Sequence, residues 1–281
     1  MRTIAIVNQK GGCGKTTTTV NLGGCLEALG ARVLVVDMDP QAHATIALGV
    51  DPERLDENLY EVLADPDGAA RLEAVLRPAG ARLAVAPSGI ALSALEQKLA
   101  LEGPGRTARL AQALATVADR FDFALVDCPP HVGILTFNAL RAAGEVLVPL
   151  ETSAFAMHGV EKLLETLALL ADRIGCDPTV RIVPTLFDGR TRYARETLGV
   201  IRERFGELCL DTVIRSSVKL REASRAGVPV CRFARGSNGA LDYAALAAEV
   251  AASAPELPAP ERRAAAPARP EPAAAAVLAL R

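Results

Sequence analysis

Short runs of consecutive apolar residues alternate with longer amphipathic stretches along most of the chain. The apolar runs have the length of single strands and lie at 4–7, 32–37, 82–86, 121–127, 145–150 and 180–185. Helical periodicity lies between them, at 20–29, 59–63, 71–76, 92–101, 106–120 and 160–174. Continuous apolar runs are typical of parallel strands covered on both faces, and regular alternation with helices favours a doubly wound sheet. The pattern predicts a single-domain α/β fold with a mostly parallel sheet.

A glycine-rich turn joins the first strand to the first helix. A turn of this kind directs successive backbone N–H groups and the positive end of a helix dipole to one point, which suits a phosphate. Lys15 adds a positive charge for the β- and γ-phosphates, and the Thr16 hydroxyl is placed to bind Mg²⁺. We predict a nucleoside triphosphate site formed by Lys10, Gly11, Gly12, Cys13, Gly14, Lys15, Thr16 and Thr17. The alternative is a surface loop of glycine and lysine that binds nothing.

The motif departs from the usual G-x-x-x-x-G-K-[ST] pattern at its first position. Gln9 stands where the first glycine is expected, and the chain continues as K-G-G-x-G-K-T-T from Lys10. This resembles the deviant Walker A box of the ParA/MinD ATPases, within which the chain resembles ParA/Soj-like partition proteins over about residues 1–250. The resemblance implies a P-loop fold that binds ATP. It also implies that Lys10 reaches the nucleotide held by the partner subunit of a dimer.

Acidic residues follow two of the predicted strands. Asp37 and Asp39 lie in a D-x-D-P-Q box, and Asp127 ends the run at 121–127. Ligands bind at the carboxyl ends of strands in open α/β sheets. Asp127 has the Walker B arrangement that holds Mg²⁺, usually through water. The family resemblance gives Asp39 the positioning of the attacking water. We predict Lys10, Lys15 and Asp39 as catalytic residues and Thr16, Asp127 and Asp37 as the metal site. The alternative for either acid of the box is a turn cap.

Composition limits the classes of function that remain. The chain has 281 residues, a net charge of −2 and no tryptophan, which argues against a base-stacking RNA binder. Its six cysteines include no C-x-x-C pair, so we expect reduced thiols that pack as small apolar groups. We expect no signal peptide, membrane span or membrane contact, and hence a cytoplasmic protein. The resemblance to ParA-type proteins further implies association with the nucleoid. The expected domains are a P-loop ATPase domain at 1–250 and an Ala/Pro-rich disordered tail at 251–281.

A local excess of positive charge lies towards the end of the predicted domain. Residues 181–235 contain twelve lysines and arginines and six acids, in a chain whose total charge is negative. Such a region indicates a polyanionic partner. The segment 214–223 resembles the ParA segment I-P-R-N-V-R-L-S-E-A, which implies binding to DNA without sequence preference. The predicted DNA-binding residues are Arg190, Lys219, Arg215, Arg221 and Arg225. The alternative is an ordinary solvated helix face.

These features predict a ParA-type ATPase that dimerises with ATP and binds nonspecific DNA. It would segregate a chromosome or plasmid, with slow hydrolysis stimulated by a ParB-like partner. One alternative is a MinD-like protein that acts on a membrane. The other is an ATPase that positions protein cargo on a scaffold without DNA. His43 is predicted to be a surface or packing residue rather than a ligand.

Overall fold

The computed structural model describes residues 1–65, 71–103 and 105–253 of the chain. The predicted disordered tail therefore lies almost wholly outside the described residues and stays a prediction.

A seven-stranded sheet forms the centre of the fold, in the order β3-β4-β2-β5-β1-β6-β7. All pairs are parallel except β3 with β4. The strands are β1 Arg2–Ile6, β2 Val33–Asp37, β3 Arg77–Pro78, β4 Leu83–Ala86, β5 Phe123–Asp127, β6 Glu145–Glu151 and β7 Thr179–Thr185. The predicted α/β class with a mostly parallel, doubly wound sheet is confirmed.

Helices cover both faces of this sheet. They are α1 Lys15–Ala28, α2 His43–Ala47, α3 Leu59–Ala64, α4 Leu72–Val75, α5 Ala91–Leu101, α6 Arg109–Ala115, α7 Ile134–Ala142, α8 Ala154–Ile174, α9 Arg192–Phe205, α10 Val218–Arg225, α11 Val230–Phe233 and α12 Asn238–Ala252. Single 3₁₀ turns lie at Pro52–Arg54 and Gly206–Leu208. Among the described helices, none has the length and apolar character that crossing a bilayer requires.

Two apolar cores lie on opposite faces of the sheet because successive side chains of a strand point to opposite sides. In β2, Val33 and Val35 join one core, which α1, α2, α10, α11 and α12 cover. Leu34 and Val36 join the other core, which includes buried residues of α3 and α5–α9. Tyr243 is buried on α12, where its hydroxyl lies 3.1 Å from Thr18 Oγ1 of α1.

The observed helices differ from the predicted ones mainly at their ends. Helix α1 begins at Lys15 rather than at residue 20, and in its first turns the hydroxyls of Thr16 and Thr19 bond to Asp127, with Thr19 also bonding to the Lys15 carbonyl. Helix α8 also begins earlier than predicted, and α6 is shorter. Helices α2, α10 and α11 were not predicted as separate elements.

Candidate nucleotide-binding site

The predicted phosphate loop and acidic residues meet at one edge of the sheet. Strand β5 lies between β1 and β2, and Asp127 is the register partner of both Ile6 and Asp37. Since these strands are parallel, their carboxyl ends lie side by side. The loop after β1, the D-x-D box after β2 and the end of β5 therefore surround one cleft.

The backbone of the loop requires glycine at two positions. Gly12 and Gly14 have φ angles of +75° and +96°, a region that residues with a Cβ rarely adopt. A Cβ at either position would meet no other described atom within 4 Å, so conformation rather than crowding selects glycine. Gly14 is also the N-cap of α1 and carries no side chain that could occupy the first N–H groups of the helix. These groups remain available to an anion, as a phosphate site requires.

Cys13 contributes its backbone rather than its thiol. The side chain is buried, and burial raises the pKa of the thiol. Its carbonyl accepts a hydrogen bond of 2.8 Å from Thr185 Oγ1 at the end of β7. The loop is thereby fixed to a second strand.

Lys15 lies almost wholly within the protein, with 8% of its surface exposed. Its Nζ donates to the carbonyl of Lys10 over 3.1 Å, so the ammonium bends back across the loop. It lines a cleft of about 390 Å³, together with Gly11, Gly12, Gly14, Thr16, Thr17, Asp39, Gln41, His43 and Pro130. The ammonium group is therefore placed where a bound phosphate would replace its carbonyl partner.

Asp127 accepts hydrogen bonds from two threonines of α1. Thr16 Oγ1 donates to Oδ2 over 2.7 Å, and Thr19 Oγ1 donates to Oδ1 over 3.1 Å. Burial raises the pKa of Asp127, and the neighbouring Asp37 raises it further. A cation beside this carboxyl would lower the cost of its charge. Thr16 and Asp127 thus form a hydroxyl and carboxylate pair of the kind that Mg²⁺ uses alongside phosphate oxygens and water.

Asp37 is fully buried, and both of its carboxyl oxygens are occupied by protein donors. Oδ1 accepts from the backbone of Asp39, and Oδ2 accepts from the backbone N–H and the hydroxyl of Thr45. Burial raises the pKa of this carboxyl, while these donors oppose the rise. Its predicted role in the metal site stays a prediction, and the geometry shows Asp37 holding the surrounding backbone.

Asp39 is the acid of the D-x-D box that faces the cleft. Its Oδ1 accepts a bond of 2.9 Å from the backbone N–H of Gln41, in the turn that Pro40 begins. Only 8% of the residue is exposed. The carboxylate is held in one orientation at the cleft wall, as a residue that orients a water molecule must be.

Lys10 turns its side chain away from this cleft. Its Nζ forms an ion pair with Glu151 at the end of β6 and lies 3.5 Å from Ser153 Oγ. About 41% of the lysine side chain is exposed. The two lysines of the motif therefore have different surroundings, with Lys15 in the cleft and Lys10 on the surface beside it.

The residues of the cleft fit ATP with Mg²⁺ but do not form a metal cage. Within residues 1–65, 71–103 and 105–253, no cluster of three or more His, Cys, Asp or Glu side chains could hold a metal ion unaided. Mg²⁺ characteristically keeps several waters and binds through one or two protein ligands plus substrate phosphates. The pair Thr16 and Asp127 beside an open phosphate loop matches that requirement.

The predicted DNA-binding residues occupy a neighbouring surface. Phe187, after β7, forms an isolated parallel β-bridge with Arg215. Arg190 and Arg215 line the same cavity of about 490 Å³. The Arg190 side chain is 91% exposed and forms an ion pair with Asp188. Arg215 instead donates hydrogen bonds to the Asp242 carboxylate from two guanidinium nitrogens. Lys219, Arg221 and Arg225 lie exposed on α10, where Lys219 pairs with Glu222. Their role on DNA stays a prediction.

Other arginines of the basic segment lie elsewhere. Arg232 pairs with Glu27 of α1 and donates to the carbonyl of Ala79, just before β4. Arg235 lines the same surface beside Gly30. This surface is at the amino ends of β2 and β4, opposite the nucleotide cleft. The excess charge counted along the sequence is therefore divided between two edges of the sheet.

Several residues of the site were not predicted from the sequence. Gln41, Pro130 and the exposed His43 line the cleft, and Glu151 pairs with Lys10. Thr19 was identifiable, because it lies three residues after Thr16 and so on the same helix face. The others depend on contacts between distant elements. Fold and site together define a P-loop nucleoside triphosphatase.

Comparisons with known proteins agree with this class. The model of a protein family described as "AAA domain" matches residues 1–181. The sporulation initiation inhibitor protein Soj of Bacillus subtilis is 38% identical over 251 residues, covering 89% of this chain and 98% of that protein. The chromosome-partitioning ATPase Soj of Thermus thermophilus is 40% identical over 265 residues, covering 91% of this chain and 98% of its own length.

A solved structure extends the likeness to three dimensions. Cobyrinic acid a,c-diamide synthase from Mycobacterium smegmatis, with bound ATP analog and magnesium, superposes with a TM-score of 0.77 at 34% identity, covering 88% of this chain and 93% of that one. The chain therefore belongs to the ParA/Soj family of P-loop ATPases. The predicted ATPase activity, with ATP and Mg²⁺, is confirmed.

Proposed function

We propose that this ATPase is a partition protein that dimerises with ATP, binds DNA without sequence preference and moves a chromosome or plasmid. The observation that carries the proposal is the outward turn of Lys10, whose ammonium lies against Glu151 rather than in its own cleft. A lysine on the rim of one cleft can exchange its carboxylate partner for a phosphate in a second subunit placed face to face. The relatives named Soj support the partition role.

The catalytic part of the proposal assigns a task to each residue of the cleft. The backbone N–H groups at the start of α1 and the Lys15 ammonium bind and orient the phosphates. Thr16 and Asp127 hold the metal, which when bound neutralises phosphate charge. Asp39 orients the attacking water. Hydrolysis is slow in the isolated protein and is stimulated by a ParB-like partner.

Dimerisation turns a weak basic surface into a stronger one. Arg190, Lys219, Arg221 and Arg225 are exposed on the described surface, with Arg215 beside them. Two copies brought together double the number of phosphates that one particle neutralises. Because nonspecific affinity rises steeply with that number, the ATP-bound dimer binds DNA and the hydrolysed form leaves it. The protein is therefore expected in the cytoplasm, on the nucleoid.

DNA binding measured against salt with ATP, ADP and no nucleotide tests this proposal. We expect tight binding with ATP only. The salt slope should be lower for Arg190→Ala/Lys219→Ala, by about one unit for each DNA phosphate that the variant no longer neutralises. The matched control is Arg54→Ala/Lys98→Ala, since Arg54 also forms an exposed local pair, with Asp51. Equal binding with ATP and ADP at low salt, or a monomer saturated with a non-hydrolysable ATP analogue, contradicts the proposal.

A further inference from the structure

A closed set of hydrogen bonds lies behind the D-x-D box, away from the cleft. Thr45 of α2 is fully buried, and both its backbone N–H and its hydroxyl donate to Oδ2 of Asp37, over 2.8 and 2.7 Å. The other oxygen of Asp37 accepts from the backbone N–H of Asp39 over 3.2 Å. Asp37 therefore connects the first turn of α2 to the backbone of the acid that faces the cleft.

Ser88, which follows β4, closes the set from the other side. Its backbone N–H donates to Thr45 Oγ1 over 2.9 Å, and its own hydroxyl donates to the carbonyl of Asp39 over 2.6 Å. Ser88 is fully buried. Since an amide N–H can only donate, the Thr45 hydroxyl uses its lone pair for Ser88 and its proton for Asp37. The direction of each bond is thereby fixed.

These contacts hold Asp39 through its backbone. Its N–H donates to Asp37, and its carbonyl accepts from the Ser88 hydroxyl and, over 2.9 Å, from the backbone N–H of Ala42, so both backbone polar groups of the residue are bonded. Loss of the hydrogen bond at either backbone group would let the peptide unit rotate and would move the Asp39 carboxylate relative to the phosphate loop. The residues that line the cleft include Asp39 but not Thr45 or Ser88, as far as the described residues show. Their influence on the cleft is exerted through the two acids.

We propose that Thr45 and Ser88 are positioning residues for ATP hydrolysis, which fix the Asp39 carboxylate by holding Asp37 and the Asp39 backbone. The inference rests on the proposed role of Asp39 in orienting water. Neither residue binds nucleotide. Their loss therefore lowers the rate of the chemical step and leaves the affinity for ATP unchanged, because misplacement affects only the group that must meet the attacking water.

The test compares four variants in single-turnover hydrolysis and in equilibrium ATP binding. Thr45→Val keeps the shape and the backbone N–H but removes the hydroxyl, whereas Thr45→Ser keeps the hydroxyl. Ser88→Ala removes only the bond to Asp39. Thr197→Val, a buried threonine on α9, is the matched control. We expect Thr45→Val and Ser88→Ala to lower the rate at least about tenfold, since small misplacements cost up to about 100-fold. Thr45→Ser and Thr197→Val stay within about twofold of wild type.

Asp39→Ala separates this inference from the function on which it rests. If Asp39→Ala hydrolyses ATP at the normal rate, the proposed role of Asp39 fails. If Asp39→Ala is inactive while Ser88→Ala and a folded Thr45→Val keep the full rate, the positioning role alone is overturned. A loss of ATP affinity equal to the loss of rate also overturns it. Should Thr45→Val fail to fold, by circular dichroism, Ser88→Ala decides the result.

Discussion

The nucleotide cleft and the basic surface both carry many charges, but the charges are held in different ways. Beside the cleft, Asp37 and Asp127 are fully buried and bonded to residues of other elements, Thr45 of α2 and Thr16 of α1. On the basic surface, Arg190 and Lys219 are exposed and pair with acids two or three residues away. Buried, cross-linked charges have one geometry, whereas exposed local pairs are weak and screened by salt. The cleft should therefore respond sharply to single changes and the surface gradually.

The largest effect is expected at Asp39. Asp39→Ala removes the acid that orients water and should lower single-turnover hydrolysis by about 10²–10⁴-fold, the usual contribution of such a group. ATP binding is retained, so the protein should accumulate in its nucleotide-loaded form on DNA. The control is Asp56→Ala, an exposed acid outside the cleft. A normal rate of hydrolysis in Asp39→Ala would show that Asp39 is not a catalytic residue.

Lys15 should show the next largest effect, on binding rather than on rate. Lys15→Ala removes a charged hydrogen bond to phosphate and should weaken ATP binding by about 10–100-fold, measured by titration calorimetry. Lys98→Ala removes an exposed lysine from α5 and serves as the control. An unchanged affinity would mean that the Lys15 ammonium keeps its bond to the Lys10 carbonyl when nucleotide binds.

The glycines that follow α2 and α10 lie in close contact, and crowding that contact should destabilise the fold. A Cβ on Gly227, after α10, would lie 2.8 Å from Gly49 Cα, after α2. We expect Gly227→Ala to lower the free energy of unfolding by about 1–3 kcal/mol more than Gly30→Ala, since overpacking adds to the strain of positive φ. Gly30 has a φ of +97° but no described neighbour within 4 Å of its Cβ position. If urea denaturation shows equal losses of unfolding free energy for the two variants, the backbone around Gly49 shifts to accommodate the added Cβ.

Within the basic surface, we expect substitution of Arg215 to destabilise the fold more than substitution of Arg190. Arg215 holds Asp242, whose side chain is 9% exposed, whereas Arg190 is 91% exposed. Arg215→Ala should cost about 1–2 kcal/mol of unfolding free energy because Asp242 loses its partner while largely buried. Arg190→Ala should cause no measurable loss because its pair with Asp188 is exposed to solvent. Thermal denaturation at equal ionic strength measures both. If Arg215→Ala is as stable as wild type, Arg215 has no structural role, and its only proposed role is DNA binding.

The smallest expected effect is a dependence of stability on pH. Burial raises the pKa of Asp37 and Asp127, whereas the Arg190 guanidinium lowers the pKa of Asp188 to about 2. A carboxyl with a raised pKa favours the folded state when protonated, so this contribution is complete below its ordinary pKa and is lost as the pH rises. Without nucleotide and Mg²⁺, the melting temperature should fall by at least about 2 °C from about pH 5 to about pH 8.

Two substitutions identify the source of that pH dependence. Asp127→Asn should reduce the slope because it removes one of the buried titrating groups. Asp188→Asn should leave the slope unchanged because Asp188 already titrates below this range. The same slope in wild type and in Asp127→Asn would assign the dependence to other groups.

Local sequence determined the class of fold and the phosphate loop. Apolar runs that alternate with helical periodicity specify a parallel sheet, because a buried strand needs apolar residues on both faces. The loop was predictable because its chemistry is carried by neighbouring residues, from Lys10 to Thr17, with glycines that supply positive φ. Asp127 was identifiable for a similar reason, since it ends an apolar run.

Only the tertiary structure decided which charges meet. Lys10 pairs with Glu151, Ser88 with the Asp39 carbonyl, and Arg215 with Asp242, across separations that no local pattern encodes. It also divided the basic segment between two edges of the sheet, because the chain crosses from one edge to the other between Arg190 and Arg232. A count of charges along a segment takes no account of where they lie in space. The energy of each charge depends on its distance to other charges and on its burial.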